Sequence, residues 1–441
     1  MDRQQQFEAL VAVLRAGVAD GEQFTLAYDA EASDFIRFNH GQVRQAGHVQ
    51  QASVSLKLIV GARHADLNLT LADDPDEDRL RLQGGLRQLR ATLPLLPDDP
   101  YLLPNTEAWS SESWQTAALP DSATVVSRIG ELARGLDLVG IYAAGPIYRG
   151  FASSWGAMGW HQANSFNFDW SLFHANGQAV KANYAGLHWD DAVFSRQFEQ
   201  AREQLHYLGL PAITLPPGQY RAYLAPAAMD EILGMLAWGG FSAQAIASKR
   251  SPLQRLYDGE ASFNPAFSLS EAVSGSLSTA FSREGYPRRD LQLIRAGQAG
   301  ERLVDSSSAA EYQLAANGAN AGEWPSALSL AAGDLEQGEI LQRLGTGLYI
   351  GNLWYLNFSD LPAARLTGMT RFATFWVEDG RIKAPVNTMR FDDSAYSLLG
   401  EQLEALTRER ELMLSTSTYE QRQTSSSHLP GALINRLTLT L

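Results

Sequence analysis

Ser53-Val-Ser-Leu-Lys-Leu-Ile-Val60-Gly61-Ala-Arg-His-Ala-Asp-Leu-Asn-Leu-Thr-Leu71 places Val54, Leu56, Leu58 and Val60 alternately with Ser and Lys, then Leu67, Leu69 and Leu71 alternately again. A period of two marks strands with one buried face, and Gly61-Ala-Arg supplies the turn, so the stretch predicts an antiparallel hairpin. On either side the period changes. Phe7, Leu10, Val11 and Leu14 are spaced by three and four, as are Leu82, Leu86 and Leu89 with Leu80 beside them, and both sets predict amphipathic helices. Pro94, Pro97, Pro100 and Pro104 then break the pattern and predict a connector over about 94–120. Helix is expected from Ser122 to Leu136 and from Asp190 to Tyr207, and between them Phe166, Phe168, Trp170 and Leu172 share one side of a strand. Helices interleaved with alternating strands predict an α+β protein, opening with an N-terminal α/β region built on an antiparallel sheet.

Pro211 and Pro216-Pro217-Gly218 end that region, which divides the chain into expected domains at 1–210 and 211–441. The second is read as mostly antiparallel β with packed helices. A strand is expected over Tyr220–Leu224, a helix over Ala227–Trp238, loops at Ser274–Arg289 and Asp305–Ser308, and a helix over Leu335–Leu344. Beyond these, Asp379-Gly380 turns a strand starting at Phe375, Tyr396–Leu406 reads as a closing helix, and Leu433, Ile434, Leu437, Leu439 and Leu441 form a final strand. No short-period repeat occurs, which excludes solenoids and propellers.

The formal net charge of −14 over 441 residues repels phosphate backbones and anionic lipid, so neither a nucleic acid nor a membrane is an expected partner. Met1-Asp-Arg-Gln-Gln-Gln-Phe has no basic-then-apolar character, and no run approaches the roughly 20 apolar residues of a spanning helix. A soluble, cytoplasmic protein is the expectation. The cysteine count of 0 removes disulfides and thiol catalysis, and leaves the sequons at Asn68 and Asn357 as chance matches.

Among chemical motifs, Asp230-Glu231-Ile232-Leu233-Gly234-Met235 stands where H-E-x-x-x-H would make a metal site. Two histidines about one turn apart grip Zn²⁺ from a helix, and the adjacent glutamate deprotonates the bound water. Here only the glutamate survives: Asp230 is able to ligate, Met235 is a poor zinc ligand, and the bland alternative is a solvated Asp-Glu pair. Gly345-Thr-Gly347-Leu-Tyr-Ile-Gly351 imitates a dinucleotide loop, but the strand-like Asn352-Leu-Trp-Tyr-Leu-Asn-Phe follows it where a helix is required. Ser242 lacks the closing glycine of a nucleophile elbow and reads as structural. The eight histidines are scattered. His40 with His48 across a hairpin, and His161, His174 and His188 together, are the combinations that could converge. Trp155, Trp160 and Tyr184 read as core, with a peptide groove as the alternative.

Taken in order, several stretches resemble the TldD/PmbA family, once called modulators of DNA gyrase. They are Phe35-Ile-Arg-Phe-Asn39-His-Gly-Gln-Val-Arg-Gln45 with the hairpin after it, Leu215-Pro-Pro-Gly218-Gln-Tyr-Arg-Ala-Tyr-Leu224-Ala-Pro226, Gly347–Gly351, Thr367-Gly368-Met-Thr-Arg371-Phe372, and Phe375-Trp-Val-Glu378-Asp379-Gly380-Arg-Ile-Lys-Ala-Pro385-Val386. The resemblance spans nearly the whole chain and is to the TldE (PmbA) branch, which lacks the metal motif. It implies a PmbA/TldD-like fold and a subunit of a zinc metalloprotease complex acting on unfolded peptides or in peptide maturation. In the catalytic branch a cysteine is a further zinc ligand, and this chain, with a cysteine count of 0, lacks the ligand set at every position. No catalytic residue and no cofactor is therefore expected in this chain, and zinc is expected in a TldD-like paralogue paired with it as a heterodimer. The alternative is a peptide-binding or scaffold homodimer. The resemblance also places the cleft beside the C-terminal domain, which makes Asn352, Trp354, Tyr355, Arg371 and Phe372 the expected peptide-binding residues, through strand addition. The competing reading buries Trp354 and Phe372 and pairs Arg371 with Asp360 or Glu378. Many relatives carry an acidic Gly-Asp-Phe-Ser run where Arg371 stands here.

Overall fold

A computed structural model describes residues 2–440. The N-terminal half is one sheet with helices on a single face. Its strands are β1 (Gln23–Asn39), β2 (Gln42–Val60), β3 (Arg63–Thr70), β4 (Ser110–Gln115), β5 (Asp137–Ser153), β6 (Met158–Phe173) and β7 (Ala179–Gly186). They run in the order β3-β2-β1-β5-β6-β4, with β7 also on β6, and only the β4–β6 pair is parallel. Even-numbered positions of β1 and β6 (Phe24, Leu26, Tyr28 and Phe38; Trp160, Phe166, Phe168 and Trp170) are all buried, which puts them on one face of the pleat. Helices α1 (Arg3–Gly17) and α2 (Pro75–Thr92) cover one end of this face, and α3 (Ser122–Leu132) and α4 (Asp191–Leu208) cover the other. The apolar residues anticipated on these helices form the packing surfaces, apart from the exposed Leu80.

The opposite face is also buried, yet polar. Asp29, Glu31 and Ser33 of β1, Arg149 of β5 and His161, Ser165 and Asn167 of β6 lie on it. Its cover comes from the second half. Arg422 donates to the Gly145 carbonyl (3.0 Å), the Ser33 hydroxyl (3.3 Å) and the Ser165 carbonyl (2.9 Å) and hydroxyl (2.6 Å), and Arg283 pairs with Asp29.

That second half holds β8 (Gly218–Leu224), β9 (Leu269–Glu271), β10 (Leu291–Arg295), β11 (Gln298–Ala299), β12 (Ala327–Leu330), β13 (Gly347–Asp360), β14 (Arg365–Glu378), β15 (Arg381–Pro385), β16 (Arg390–Ser394), β17 (Leu403–Leu414) and β18 (Ser426–Leu439). The path runs β11-β10-β9-β12-β18-β16-β14-β13-β8, and β8 pairs back onto β18, closing a circuit of strands. Helix α5 (Pro226–Ala237) packs Ala228, Met229, Ile232, Leu233 and Leu236 onto this sheet. The expected final strand is β18, docked at the centre of the sheet; Leu441 lies outside the described residues. The fold is α+β, as the periodicity predicts.

Several elements differ from expectation. Tyr396–Leu406 is no closing helix: Ser397–Glu401 makes a short π-type turn, Gly400 leaves helical geometry at φ −99 and ψ −109, and the chain continues as β17. Leu398, Leu399, Leu403 and Leu406 are all buried, so they mimic helical spacing while serving a turn and a strand. Asp305–Ser308 is a helix start: the Asp305 carboxylate accepts the Ser308 N–H at 2.7 Å and caps Ser306–Tyr312. The proline-rich connector contains β4. The expected 335–344 helix is reduced to a 3₁₀ turn at Gln337–Glu339 and one turn at Ile340–Leu344, and the 122–136 helix stops at Leu132.

Candidate functional site

Between the two sheets lies a cavity of about 870 Å³. Its N-terminal wall is the edge strand β7 (Val180 to Asn183) with Gln200, Gln204 and Tyr207 of α4. The opposite wall comes from Tyr223 of β8, Tyr349 and Asn352 of β13, Glu411 and Met413 of β17, and one face of α5. Ala227, Asp230, Glu231, Gly234 and Trp238 form that face, the three-and-four spacing that exposes one side of a helix while the other packs on the sheet. The degenerate metal helix therefore borders this cavity.

Its side chains do not converge on a metal. The Ser427 hydroxyl donates to Asp230 at 2.6 Å, and Met235 packs against the hydrophobic core without lining the cavity. Among the described residues, no group of three His, Cys, Asp or Glu side chains could hold an ion. His40 and His48 each take a separate acid, Asp137 and Asp34, at 2.8 Å, and do not meet. His161 is buried on the polar face, where burial and the Arg149 guanidinium push it down to about 4. The residues present do not fit the zinc centre that the catalytic branch implies.

What the cavity gathers is a surplus of acids over bases. Burial raises Asp169, although the Lys181 ammonium 3.5 Å away opposes the shift. Burial raises Asp230 against the Ser427 hydrogen bond. Glu231 is reached by solvent at the wall yet enclosed by its neighbours, and that enclosure, with the charge of Asp230, lifts it also. Glu411 is pushed up to about 7 by burial alone. Beside it, Tyr223 and Tyr349 stand as a cross-strand pair with ring centroids 5.2 Å apart, and Gln204 donates to the Tyr349 hydroxyl at 3.2 Å. None of Asp169, Lys181, Gln204, Tyr223, Tyr349 and Glu411 is singled out by sequence reasoning. Both tyrosines lie inside quoted strand motifs, where their alternation reads as packing, and Glu411 sits in a run, Arg408-Glu-Arg-Glu411, that looks like a solvated face.

The expected peptide-binding residues separate into two places. Asn352 lines the cavity, and β13 then carries Trp354 and Tyr355 out to the surface, where they are 48% and 78% exposed. Arg371, opposite Asn352 on β14, lies 4.6 Å from the Trp354 ring centre and 5.2 Å from that of Phe372. Among the described residues it pairs with neither Asp360 nor Glu378: Asp360 accepts the Ala363 N–H and Glu378 the Trp376 indole. Tyr355 and Phe372 adopt positive φ, 57 and 55, beside register shifts in the β13–β14 ladder, a bulged geometry that turns side chains outward. The reading that buries Trp354 is therefore corrected. Of the groove alternative, Trp160 and Tyr184 are core and Trp155 is half-buried, and Ser242 is structural: it caps Ala243–Ala247 and donates to Glu323.

Comparison with known proteins agrees with this architecture. The profile of the PmbA/TldA metallopeptidase C-terminal domain matches residues 217–441. The chain belongs to that family. Among solved structures it is similar to a proposed modulator of DNA gyrase from Thermotoga maritima (TM-score 0.76, 15% identity, 100% of both chains) and to TldE from Thermococcus kodakarensis (0.77, 14%, 99% of this chain and 100% of that one). A proposed modulator of DNA gyrase from Bacteroides thetaiotaomicron is also similar (0.73, 15%, 99% and 98%). At these identities the likeness concerns the fold. No curated protein sequence matches. No helix among the described residues is long and apolar enough to cross a membrane.

Proposed function

We propose that this chain is a non-catalytic TldE-like subunit that holds an extended peptide in the inter-sheet cavity while a zinc-bearing TldD-like partner supplies the hydrolytic centre. One observation carries the reading: the helix at the family's metal-motif position borders the cavity with Asp230 engaged by Ser427 and Met235 packed against the core. Strand addition suits the geometry. β7 is paired on one side only, with β6, and its residues 180–183 line the cavity, so its free edge offers backbone groups to a chain of any sequence. In this reading the exposed Trp354 and Tyr355 of β13, with the exposed Arg371 and half-buried Phe372 of β14 beside them, contact the partner or the peptide as it enters. Enclosure restricts access to unfolded segments and spares folded proteins.

The test combines metal analysis with affinity capture. The purified chain is expected to bind no stoichiometric zinc and to show no chelator-sensitive peptide hydrolysis, and to co-purify from its native extract with an equimolar paralogue carrying H-E-x-x-x-H. Zinc and hydrolysis in the isolated chain would overturn the proposal. Recovery of the chain only as a homodimer would favour the peptide-binding scaffold instead.

A further inference from the structure

The cavity is built with a charge problem that a ligand can solve. Asp169, Glu203, Asp230, Glu231 and Glu411 line it against Lys181, and no arginine does. Asp169 has the lysine and Asp230 has Ser427. Glu411, half-buried on the wall beside Tyr223 and Tyr349, has no hydrogen-bond or ion-pair partner among the described residues. A second, independent observation lies beside it. Tyr223 is 3% exposed and lines the cavity, and its hydroxyl, open to the cavity, makes no hydrogen bond to another described residue. The Tyr349 hydroxyl accepts from Gln204, which leaves its own proton free and its ring beside that of Tyr223.

A carboxylate, an unpaired hydroxyl oxygen and two tyrosine rings at one end of an anionic chamber complement a compact group with three donors and a positive charge. We infer that the Glu411–Tyr223–Tyr349 end of the cavity is a receptor for an alkylammonium group, presented by a peptide as its free N-terminus or as a lysine side chain. Such a group gives Glu411 a counter-charge and Tyr223 a donor, and it fixes which part of an extended peptide reaches the inner end. The remaining acids, Asp230 and Glu231 on α5 and Asp169 on β6, set a negative potential that favours entry of the cationic end and repels an acidic one. The inference rests on the peptide-holding role proposed above and deepens it by naming the feature recognised.

The purified full-length chain is titrated with a short, lysine-free, C-terminally amidated peptide in two forms, with a free N-terminus and N-acetylated. A third form is acetylated and carries one internal lysine. Binding is followed by calorimetry and by the fluorescence of Trp238 and Trp324, which line the cavity. At least one ammonium-bearing form is expected to bind roughly tenfold more tightly than the acetylated lysine-free peptide, the scale of one charge-assisted contact. Glu411→Gln, which keeps the shape, is expected to remove that preference, and Tyr223→Phe to weaken it, with far-ultraviolet circular dichroism unchanged in both. A preference confined to the free N-terminus identifies the α-amine as the source; recovery by the internal lysine identifies the side chain. Equal binding of all three forms, or a preference that survives Glu411→Gln, overturns the inference and leaves peptide holding intact. If no form binds, peptide holding by the isolated chain fails and takes the inference with it.

Discussion

Glu411→Gln is expected to stabilise the protein, and to do so only at neutral and alkaline pH. Burial raises the carboxyl from its ordinary 4.5 to about 7. As pH rises through that window the unfolded chain releases the proton while the folded chain still holds it, so stability falls, and the loss levels off above the folded value. At 1.36 kcal/mol per unit, the gap between 4.5 and about 7 costs about 3 kcal/mol. An unfolding entropy of roughly 2.1 cal/mol/K per residue over 441 residues converts this to a rise of about 3 °C in Tm. The gain is expected in full near pH 8.5 and to shrink below about 1 kcal/mol near pH 5, where the wild-type carboxyl is protonated in the fold and ionises only partly when unfolded. His161 works in the opposite direction across part of the same window, so the quantity to measure is the variant-minus-parent difference in calorimetric Tm at each pH, not the raw profile. A difference independent of pH, or a variant less stable than its parent at alkaline pH, refutes the claim that Glu411 is held unpaired in an enclosed site.

Four further outcomes are expected. Arg422→Ala removes the cation from the polar face, where Glu31, Ser33 and Ser165 are buried, and should cost about 3 kcal/mol in denaturant unfolding while exposing residues 415–425 to limited proteolysis. His161, pushed down to about 4 by burial, gives stability that is full above about pH 6.5 and lost as pH falls toward 4, up to about 3 kcal/mol; His161→Asn should flatten that slope in denaturant midpoints. Gly431→Ala would set a Cβ 2.1 Å from the Tyr223 hydroxyl and should destabilise by about 1–3 kcal/mol, with a smaller cost when Tyr223→Leu has already removed the ring, read as a coupling in a double-mutant cycle. Arg371→Ala should change stability by less than about 1 kcal/mol, because its contact with Trp354 is at the surface, yet weaken capture of the partner in a pull-down.

The sheets were legible where one face is apolar and the other polar. Val54, Leu56 and Leu58, and Phe166, Phe168 and Trp170, report burial directly through a period of two, and α4 and α5 report it through spacings of three and four. The same logic fails where spacing is ambiguous. Leu398, Leu399, Leu403 and Leu406 satisfy a helical template, and only the backbone at Gly400 decides against it. Of the site, α5 and Asn352 were legible because they lie in motifs with a recognisable order. Glu411, Tyr223 and the edge of β7 were not: a glutamate flanked by arginines predicts solvent, and its enclosure results from α4 and β7, remote in sequence, closing over it.

That enclosure depends on how the halves are joined. An apolar interface between two sheets would tolerate sliding, since hydrophobic contact is non-directional. Here the polar face of the first sheet receives Arg422 and Arg283 from the second half through hydrogen bonds to named carbonyls, hydroxyls and carboxylates, which hold only in one register. Phe375 and Ala373 of β14 join the aromatic cluster of α4 and β6 on the other side of the cavity. Pinned at both margins, the chamber keeps Asp230 and Glu231 of α5 on its wall. The joint beside this acid-lined cavity rests on the buried Arg422 and the more exposed Arg283. The same argument predicts that Arg422→Ala should loosen peptide binding more than Arg422→Lys does, because lysine keeps the charge but cannot span both Gly145 and Ser165. Equal binding by the two variants, with the unfolding cost of Arg422→Ala still present, would separate the stability of this joint from the shape of the chamber.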